Sequence, residues 1–564
     1  MRTLHLIITG LFFLCFSLKA EERVYERVFI HTDNDCYVAG EDIWLKFYVV
    51  TDKFLPSSLS KVGYVEISDT EKPRMQLKVA LEEGRGAGKI RIPADIPSGI
   101  YRLTAYTRYM RNEGKKVFFE SRIAIVNVGL PSIAAAKRFE TVENFDKPSA
   151  FEEERSYKDQ SIIAGIKTDR SAYGNRQKVV LSLNNIPDNT ADLVISVTRN
   201  DSIVSLPELN RGAWLKQVRD TFPFSDHLLP EYEGHIITAR FVPAPSEQLR
   251  ASLAFVGNDI RYFNGKVNPD DGTISFYTAG IFGKQQIVTS ALSLLYDNAP
   301  NRVDLISPFD ESLPDSLPVL QIRPNEKRLM ERYIATQIRD KTDNDSLAES
   351  GASSGYCTFD PVLTYDLDQY TRFETISETI LEFVNRVRVS KVGGNRRIKV
   401  FMKELQAFNQ GNTLVLLDGI PVYDHDAVLD YNPMYIKRIN IYDENYLFGG
   451  EHFECIVSFI TQTGNLPFFQ LSQGAQLFNY DCPRLPPPFE SPDYSTDFIK
   501  NSRKPDFRHT LYWNPFVEST NNRPANLSFY TSDLCGEYKI TVEGITADGK
   551  MIRGRSYFQV TCDK

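Results

Sequence analysis

The chain has 564 residues, a formal net charge of −8 and 12% aromatic side chains. A mildly acidic surface argues against nucleic acid, whose phosphates select basic faces, and the length asks for about three to five domains rather than one. Tyr and Phe residues set between frequent Pro and Gly are what sheet proteins need.

In chain order, Met1-Arg2 is followed by the apolar run Leu4 to Leu18, then by Lys19-Ala20 and the polar start Glu21-Glu22-Arg23. That layout predicts a secretory signal peptide over residues 1–20. The apolar run is shorter than the roughly 20 residues of a spanning helix. Residues 21–128 predict a β-sandwich. Ile43, Leu45, Phe47 and Val49 alternate in one strand, and Tyr101, Leu103 and Ala105 share a face after the turn Pro97-Ser98-Gly99. Residues 129–160 read as a linker with a short helix over 133–139. A second β-sandwich is expected over 161–230, with strands at 162–166, 179–183 and 193–198. Its Lys167-Thr168-Asp169-Arg170-Ser171-Ala172-Tyr173 echoes His31-Thr32-Asp33-Asn34-Asp35-Cys36-Tyr37, a weak internal repeat. A further sandwich is expected over 231–310. Residues 311–359 form a helical and flexible linker, with a helix over 325–341 and a Ser/Gly/Asp-rich joint over 343–355. Residues 360–466 break the all-β pattern and predict an α+β domain. Its helix runs from Thr375 to Val387, with Ile376, Ile380, Val384 and Val387 on one face, and strands lie at 397–402, 413–422, 435–442 and 456–461. A Pro-rich linker over 467–506 and a C-terminal β module over 507–564 complete a mainly β chain.

Three segments resemble known families. Tyr37-x-Ala39-Gly40-Glu41, Ile43-Trp44-Leu45-Lys46 and Ile92-Pro93-x-x-Ile96-Pro97-Ser98-Gly99-Ile100-Tyr101-Arg102-Leu103 resemble an MG2-type domain of the α2-macroglobulin superfamily. Within residues 231–310, Glu233 to Phe241, Ala251 to Val256 and Asp270 to Phe276 resemble a carboxypeptidase-regulatory-like sandwich, which implies no peptidase chemistry. Leu416-Leu417-Asp418-Gly419-Ile420-Pro421-Val422, Asn432-Pro433 before Ile436-Lys437-Arg438-Ile439, and Gly449-Gly450 before a strand ending in Thr461 resemble the plug of TonB-dependent outer-membrane receptors. In that family the plug fills a barrel of about 22 strands, on the order of 200 residues in strands alone. Residues 466–564 cannot supply them, so the expectation is a plug-like fold without a pore and no transport by this chain alone. The domain order is similar to that of large exported proteins of Bacteroidetes.

Chemistry is sparse. His31, His227, His235, His425, His452 and His509 include no His-x-x-x-His spacing. His425 between Asp424 and Asp426 reads as an exposed polar loop rather than a metal site, and Asp418-Gly419 as a turn. Gly84-Arg85-Gly86-Ala87-Gly88 reads as a hairpin turn, since it lacks the Lys-Ser/Thr of a phosphate loop. No Gly-x-Ser-x-Gly elbow and no Cys-x-Glu-Gln thioester motif occurs. No catalytic, cofactor-binding or metal-ligating residue is therefore assigned, and no cofactor. Among Cys36, Cys357, Cys455, Cys482, Cys535 and Cys562, the pair to test first is Cys535 with Cys562; buried free thiols are the alternative. The expectation is a non-enzymatic scaffold or binding protein of the cell envelope, exported to the periplasm or outer membrane. It would dock an envelope or outer-membrane protein and reach the membrane through partners. The alternative is a macroglobulin-type ligand-binding or protease-inhibiting protein without a thioester. A hydrolase would require a buried His–carboxylate pair assembled in three dimensions.

Overall fold

The computed structural model describes residues 23–129, 139–141, 161–187, 190–201, 203–204, 206, 211–294, 298–323, 325–342, 360–448, 451–517, 527–548 and 550–562. The signal segment, most of the 129–160 linker, the 343–355 joint, Cys357 and Gly449-Gly450 lie outside the described residues.

The first sandwich is built from β1 (Glu26–Thr32), β2 (Cys36–Val38), β3 (Asp42–Thr51), β4 (Val62–Ser68), β5 (Pro73–Ala80), β6 (Arg85–Arg91), β7 (Gly99–Thr107) and β8 (Phe119–Val126). One sheet has the order β1-β3-β6 and the other β2-β8-β7-β4-β5. The sheets meet through Val28, Leu45, Phe47, Tyr64, Val65, Leu103 and Ala105, all buried. The expected glycine hairpin is displaced. The turn is made by Glu83 and Gly84, with φ of 48° and 74°, while Gly86 and Gly88 are strand residues. A Cβ on Gly86 would stand 2.7 Å from the Ala80 carbonyl oxygen, and one on Gly88 2.8 Å from Leu77 Cδ2. These glycines let the two sheets approach at that corner.

The expected second sandwich over 161–230 and the C-terminal module over 507–564 are two halves of one domain. Thr190–Arg199 lies between Gly536–Thr546 and Thr510–Asn514, and Met551–Val560 continues the sheet toward Ser161–Ile163 and Ala172–Tyr173. The facing sheet has the order Gly165–Thr168, Lys178–Asn184, Leu527–Tyr530. Strand for strand, this is the topology of the first sandwich, with the chain opened between the counterparts of β4 and β5. Side-chain details repeat as well. The Tyr37 hydroxyl donates to Asp33 Oδ1 at 2.8 Å, and the Tyr173 hydroxyl to Asp169 Oδ1 at 2.7 Å. The Tyr101 hydroxyl donates to the Pro97 carbonyl at 2.5 Å, and the Tyr538 hydroxyl to that of Leu534 at 2.9 Å. A disulfide joins Cys535 to Cys562, with Cα atoms 5.7 Å apart, at the end of the Gly536–Thr546 and Met551–Val560 pair.

Two further units sit inside that opening. A third sandwich has sheets Lys266–Val267, Thr273–Tyr277, Ile236–Val242, Arg302–Leu305 and Tyr262–Asn264, Arg250–Phe255, Lys284–Leu292, Gln476–Asp481. Its last strand comes from the expected Pro-rich linker. The α+β unit is in turn inserted in the third sandwich. Its sheet runs Leu363–Asp366, Ile436–Tyr442, Cys455–Thr461, Thr413–Leu417, Ile420–Pro421, with Thr413–Leu417 parallel to Cys455–Thr461. The helix is shorter than expected. It spans Ile376–Phe383, capped by the Thr375 hydroxyl accepting from Glu378 N–H at 3.2 Å. Arg386, at φ 66°, then turns the chain into the strand Val387–Val392, a hairpin with Asn395–Met402 closed by Gly393-Gly394. Linkers carry structure too. Phe139–Thr141, part of which was expected to be helical, is a strand parallel to Leu320–Ile322. The helix Arg211–Arg219 brings Trp214, whose indole N–H donates to the Val28 carbonyl at 2.7 Å.

A chain ending at residue 506 should lose hydrogen-exchange protection at amides 190–199, because their partners in Gly536–Thr546 are gone, while β7 and β8 stay protected. Protection retained at 190–199 would contradict the split sandwich.

Candidate binding sites at the domain junctions

The helix Glu326–Thr342 carries Arg332 into the seam between the two related sandwiches. Arg332 is 2% exposed. Its Nε donates to Glu41 Oε1 at 2.8 Å, its Nη1 to Asp201 Oδ2 at 3.3 Å and its Nη2 to the Cys36 carbonyl at 2.9 Å. His509 Nε2 reaches the same Asp201 oxygen at 2.5 Å. Burial alone would push the Asp201 carboxyl up, but the His509, Arg332 and Arg199 charges together hold it below the usual range. Beside this knot an open groove of about 1110 Å³ is lined by Trp44, Lys89, Arg332, Phe489 and Tyr494 among others. The Pro487-to-Pro492 stretch also lines it, packed edge-on against Trp44 through Phe489, 5.1 Å between ring centroids. Asp33 is a further lining residue. It accepts from Tyr37, Thr510 and the Trp44 N–H, and burial pushes its carboxyl up to about 6 against those bonds.

Two more polar clusters are buried between units. His31 Nδ1 stands 2.5 Å from Glu543 Oε2, and Lys46 Nζ 2.6 Å from Asp192 Oδ2; both pairs join the first sandwich to the second. Between the first and third sandwiches, His235 Nδ1 meets Glu231 Oε1 at 2.8 Å and Nε2 meets the Tyr480 hydroxyl at 2.7 Å. Tyr64 donates to both Glu231 oxygens at 2.9 Å. These are the His–carboxylate pairs a hydrolase would need. At His235, however, burial and the Lys78 charge lower the imidazole to about 4 against the Glu231 carboxylate. Both ring nitrogens are engaged, and the neighbouring hydroxyls belong to tyrosines whose burial drives them well up. The geometry is that of a clamp between sheets. The cluster borders a cavity of about 850 Å³ that also touches Arg85, Asp192 and Phe516.

In the α+β unit, Asp418 and Gly419 form the expected turn, with φ of 46° and 78°. The Asp418 carboxylate is fully buried and accepts from Thr461 N–H, Thr461 Oγ1 and Leu466 N–H at 2.7, 2.6 and 2.8 Å. His425 is not on an exposed loop. It starts the helix His425–Leu429 and is buried, its Nδ1 accepting from the Ile398 N–H at 2.9 Å. Asp424 caps that helix and Asp426 pairs with Arg396. The carboxylate held by Leu466 N–H bends the chain that follows. Leu466 and Phe468 take φ of 57° and 58°, and Phe468 is left 83% exposed, its ring 5.1 Å from that of Tyr435. Met434, beside Tyr435, is 58% exposed.

Arg332, Asp201, Lys46 and Asp192 escaped sequence reading because each pairs across more than a hundred residues. Asp33 alone had a local signal, the Asp-x-x-x-Tyr echo. Among the described residues, no group of three or more His, Cys, Asp or Glu is disposed to hold a metal ion, and no helix is long and apolar enough to cross a membrane.

No protein-family model matches the chain, and no curated protein matches it. Among solved structures, it is similar to Salmonella α2-macroglobulin reacted with methylamine, at 9% identity and a TM-score of 0.24 over 95% of this chain and 39% of that one. It is also similar to native E. coli α2-macroglobulin, at 10% identity and 0.23 over 95% and 40%, and to dimeric latent PorU of Porphyromonas gingivalis, at 9% identity and 0.14 over 95% and 34%. The chain spans about two fifths of the length of these macroglobulins.

The raised Asp33 sets a pH dependence. An unfolded Asp titrates at about 4, so between about 4 and about 6 the folded chain keeps a proton that the unfolded chain has lost, and stability falls as pH rises through that window. Asp33→Asn should flatten this slope in urea denaturation at successive pH values; an unchanged slope would contradict the assignment.

Proposed function

We propose that the protein is a non-catalytic binding or scaffold protein of the cell envelope, exported, that docks a periplasmic or outer-membrane protein through its α+β unit. The observation that carries this reading is the Phe468 patch. A bulky residue at positive φ is held against its own preference, and such strain persists where the surroundings over-determine it, commonly at binding surfaces. Here it turns an aromatic ring outward beside Tyr435 and Met434 rather than into the core. The resemblance of residues 360–466 to a receptor plug adds a partner class: an envelope protein that accepts a plug-shaped surface. The signal-like N-terminus supports export.

Phe468→Asp combined with Met434→Ser should abolish co-purification of a membrane protein from detergent-solubilised envelopes, with the circular dichroism spectrum unchanged. Equal recovery with the variant, or no membrane partner with either form, would overturn the reading. The macroglobulin-type alternative is favoured by the duplicated sandwich with a groove at its seam. Slowed digestion of a protein substrate by an added protease would support it, and unaltered digestion would remove it.

A further inference from the structure

We propose that Lys46 and Asp192 condense to an intramolecular amide, a covalent tie between the first sandwich and the split second one. This goes beyond the binding function and does not depend on it.

The contact is made for chemistry rather than for a stable ion pair. Lys46 Nζ stands 2.6 Å from Asp192 Oδ2, with side chains 0% and 5% exposed. Beyond this contact neither atom has a hydrogen-bond partner. Nζ is 3.8 Å from the Phe516 ring centroid and 5.2 Å from that of Tyr48. A buried ion pair gives up the hydration of both ions and keeps its charges only with excellent geometry and further hydrogen bonds. Here Lys46 Nζ and Asp192 Oδ2 have none beyond their own contact, and the carboxyl has one other, from the Leu193 N–H. Burial lowers the ammonium to about 8 despite Asp192, and burial raises the carboxyl despite Lys46. Both shifts favour the neutral amine and the neutral acid, the forms that condense.

The step balances without a co-reactant. The Nζ lone pair attacks Asp192 Cγ and forms the N–C bond. The C–OH bond of the acid breaks, and the hydroxyl leaves as water with a proton from nitrogen. Amine and acid held in contact gain the effective concentration of an intramolecular reaction. Within the proposal, strand register makes the His31–Glu543 pair the proton carrier, while the Arg85 charge acts on both reacting groups. His31 is the cross-strand partner of Lys46, which puts their Cβ atoms roughly 5 Å apart, and His31 is paired with Glu543. Glu543 lies opposite Val194, two residues from Asp192 on the facing sheet. Asp192 also borders the cavity of about 850 Å³, into which the water can leave.

The test is mass spectrometry of the purified full chain. With its N-terminus fixed by peptide mapping, it should be lighter than the sequence from that N-terminus by the mass of one water, beyond the hydrogens lost in the disulfide. After denaturation trypsin should fail to cut after Lys46 and should release one branched peptide containing Lys46 and Asp192. Lys46→Arg should show only the loss of the disulfide hydrogens. In Glu543→Gln, freshly made chains should be a mixture of condensed and open forms. An unmodified wild-type mass with normal cleavage after Lys46 would overturn the proposal. That readout needs no variant to fold. Full condensation in fresh Glu543→Gln would overturn the role given to the His31–Glu543 pair.

Discussion

The molecule depends on one strand pairing, that of Thr190–Arg199 with Gly536–Thr546. It closes a sheet across more than three hundred residues of intervening chain. Loop closure entropy grows only slowly with length, so two folded units can occupy that opening at modest cost. The burial of Leu193, Ile195, Val197, Ile540 and Val542 in one core offsets that cost. Everything inserted inherits its position from this closure. The third sandwich is anchored at both ends by the second, and the α+β unit at both ends by the third. The α+β core itself reaches Ala254, Ile260, Tyr262 and Val288 of the third sandwich, so the unit is seated on it.

The seams between units are polar. Arg332 with Glu41 and Asp201, and His31 with Glu543, are buried between elements distant in sequence, and Tyr64 of the first sandwich reaches Glu231 of the third. Buried pairs add little net stability compared with apolar packing, but losing one partner strands a charge. They therefore fix one relative arrangement. The docking surface proposed on the α+β unit would gain from that rigidity, because a pre-ordered patch does not have to be ordered on association.

Strand positions were legible from alternation: Ile43 to Val49, Tyr101 to Ala105 and Ile436 to Tyr442 are strands with the expected buried faces. Strand partners were not, because period-two alternation reports a buried face and not what covers it. Hence one sandwich read as two modules, and the strand Gln476–Asp481 was lost in an apparent linker beside its prolines. The repeat was half visible. The Asp33/Tyr37 and Asp169/Tyr173 echo marked two related domains, but the insertion hid the second half of the copy. The Phe468 surface had no sequence signal. Its exposure follows from the backbone turn imposed by Asp418, fifty residues earlier.

The most direct test of the account is photo-crosslinking in intact cells, with a photoreactive residue at Met434 and, as a control, at Leu55 on the first sandwich, 51% exposed. A docking surface on the α+β unit predicts one discrete adduct with an envelope protein from position 434 and none from position 55. No adduct from 434, or the same adducts from both, would contradict a docking surface on the α+β unit.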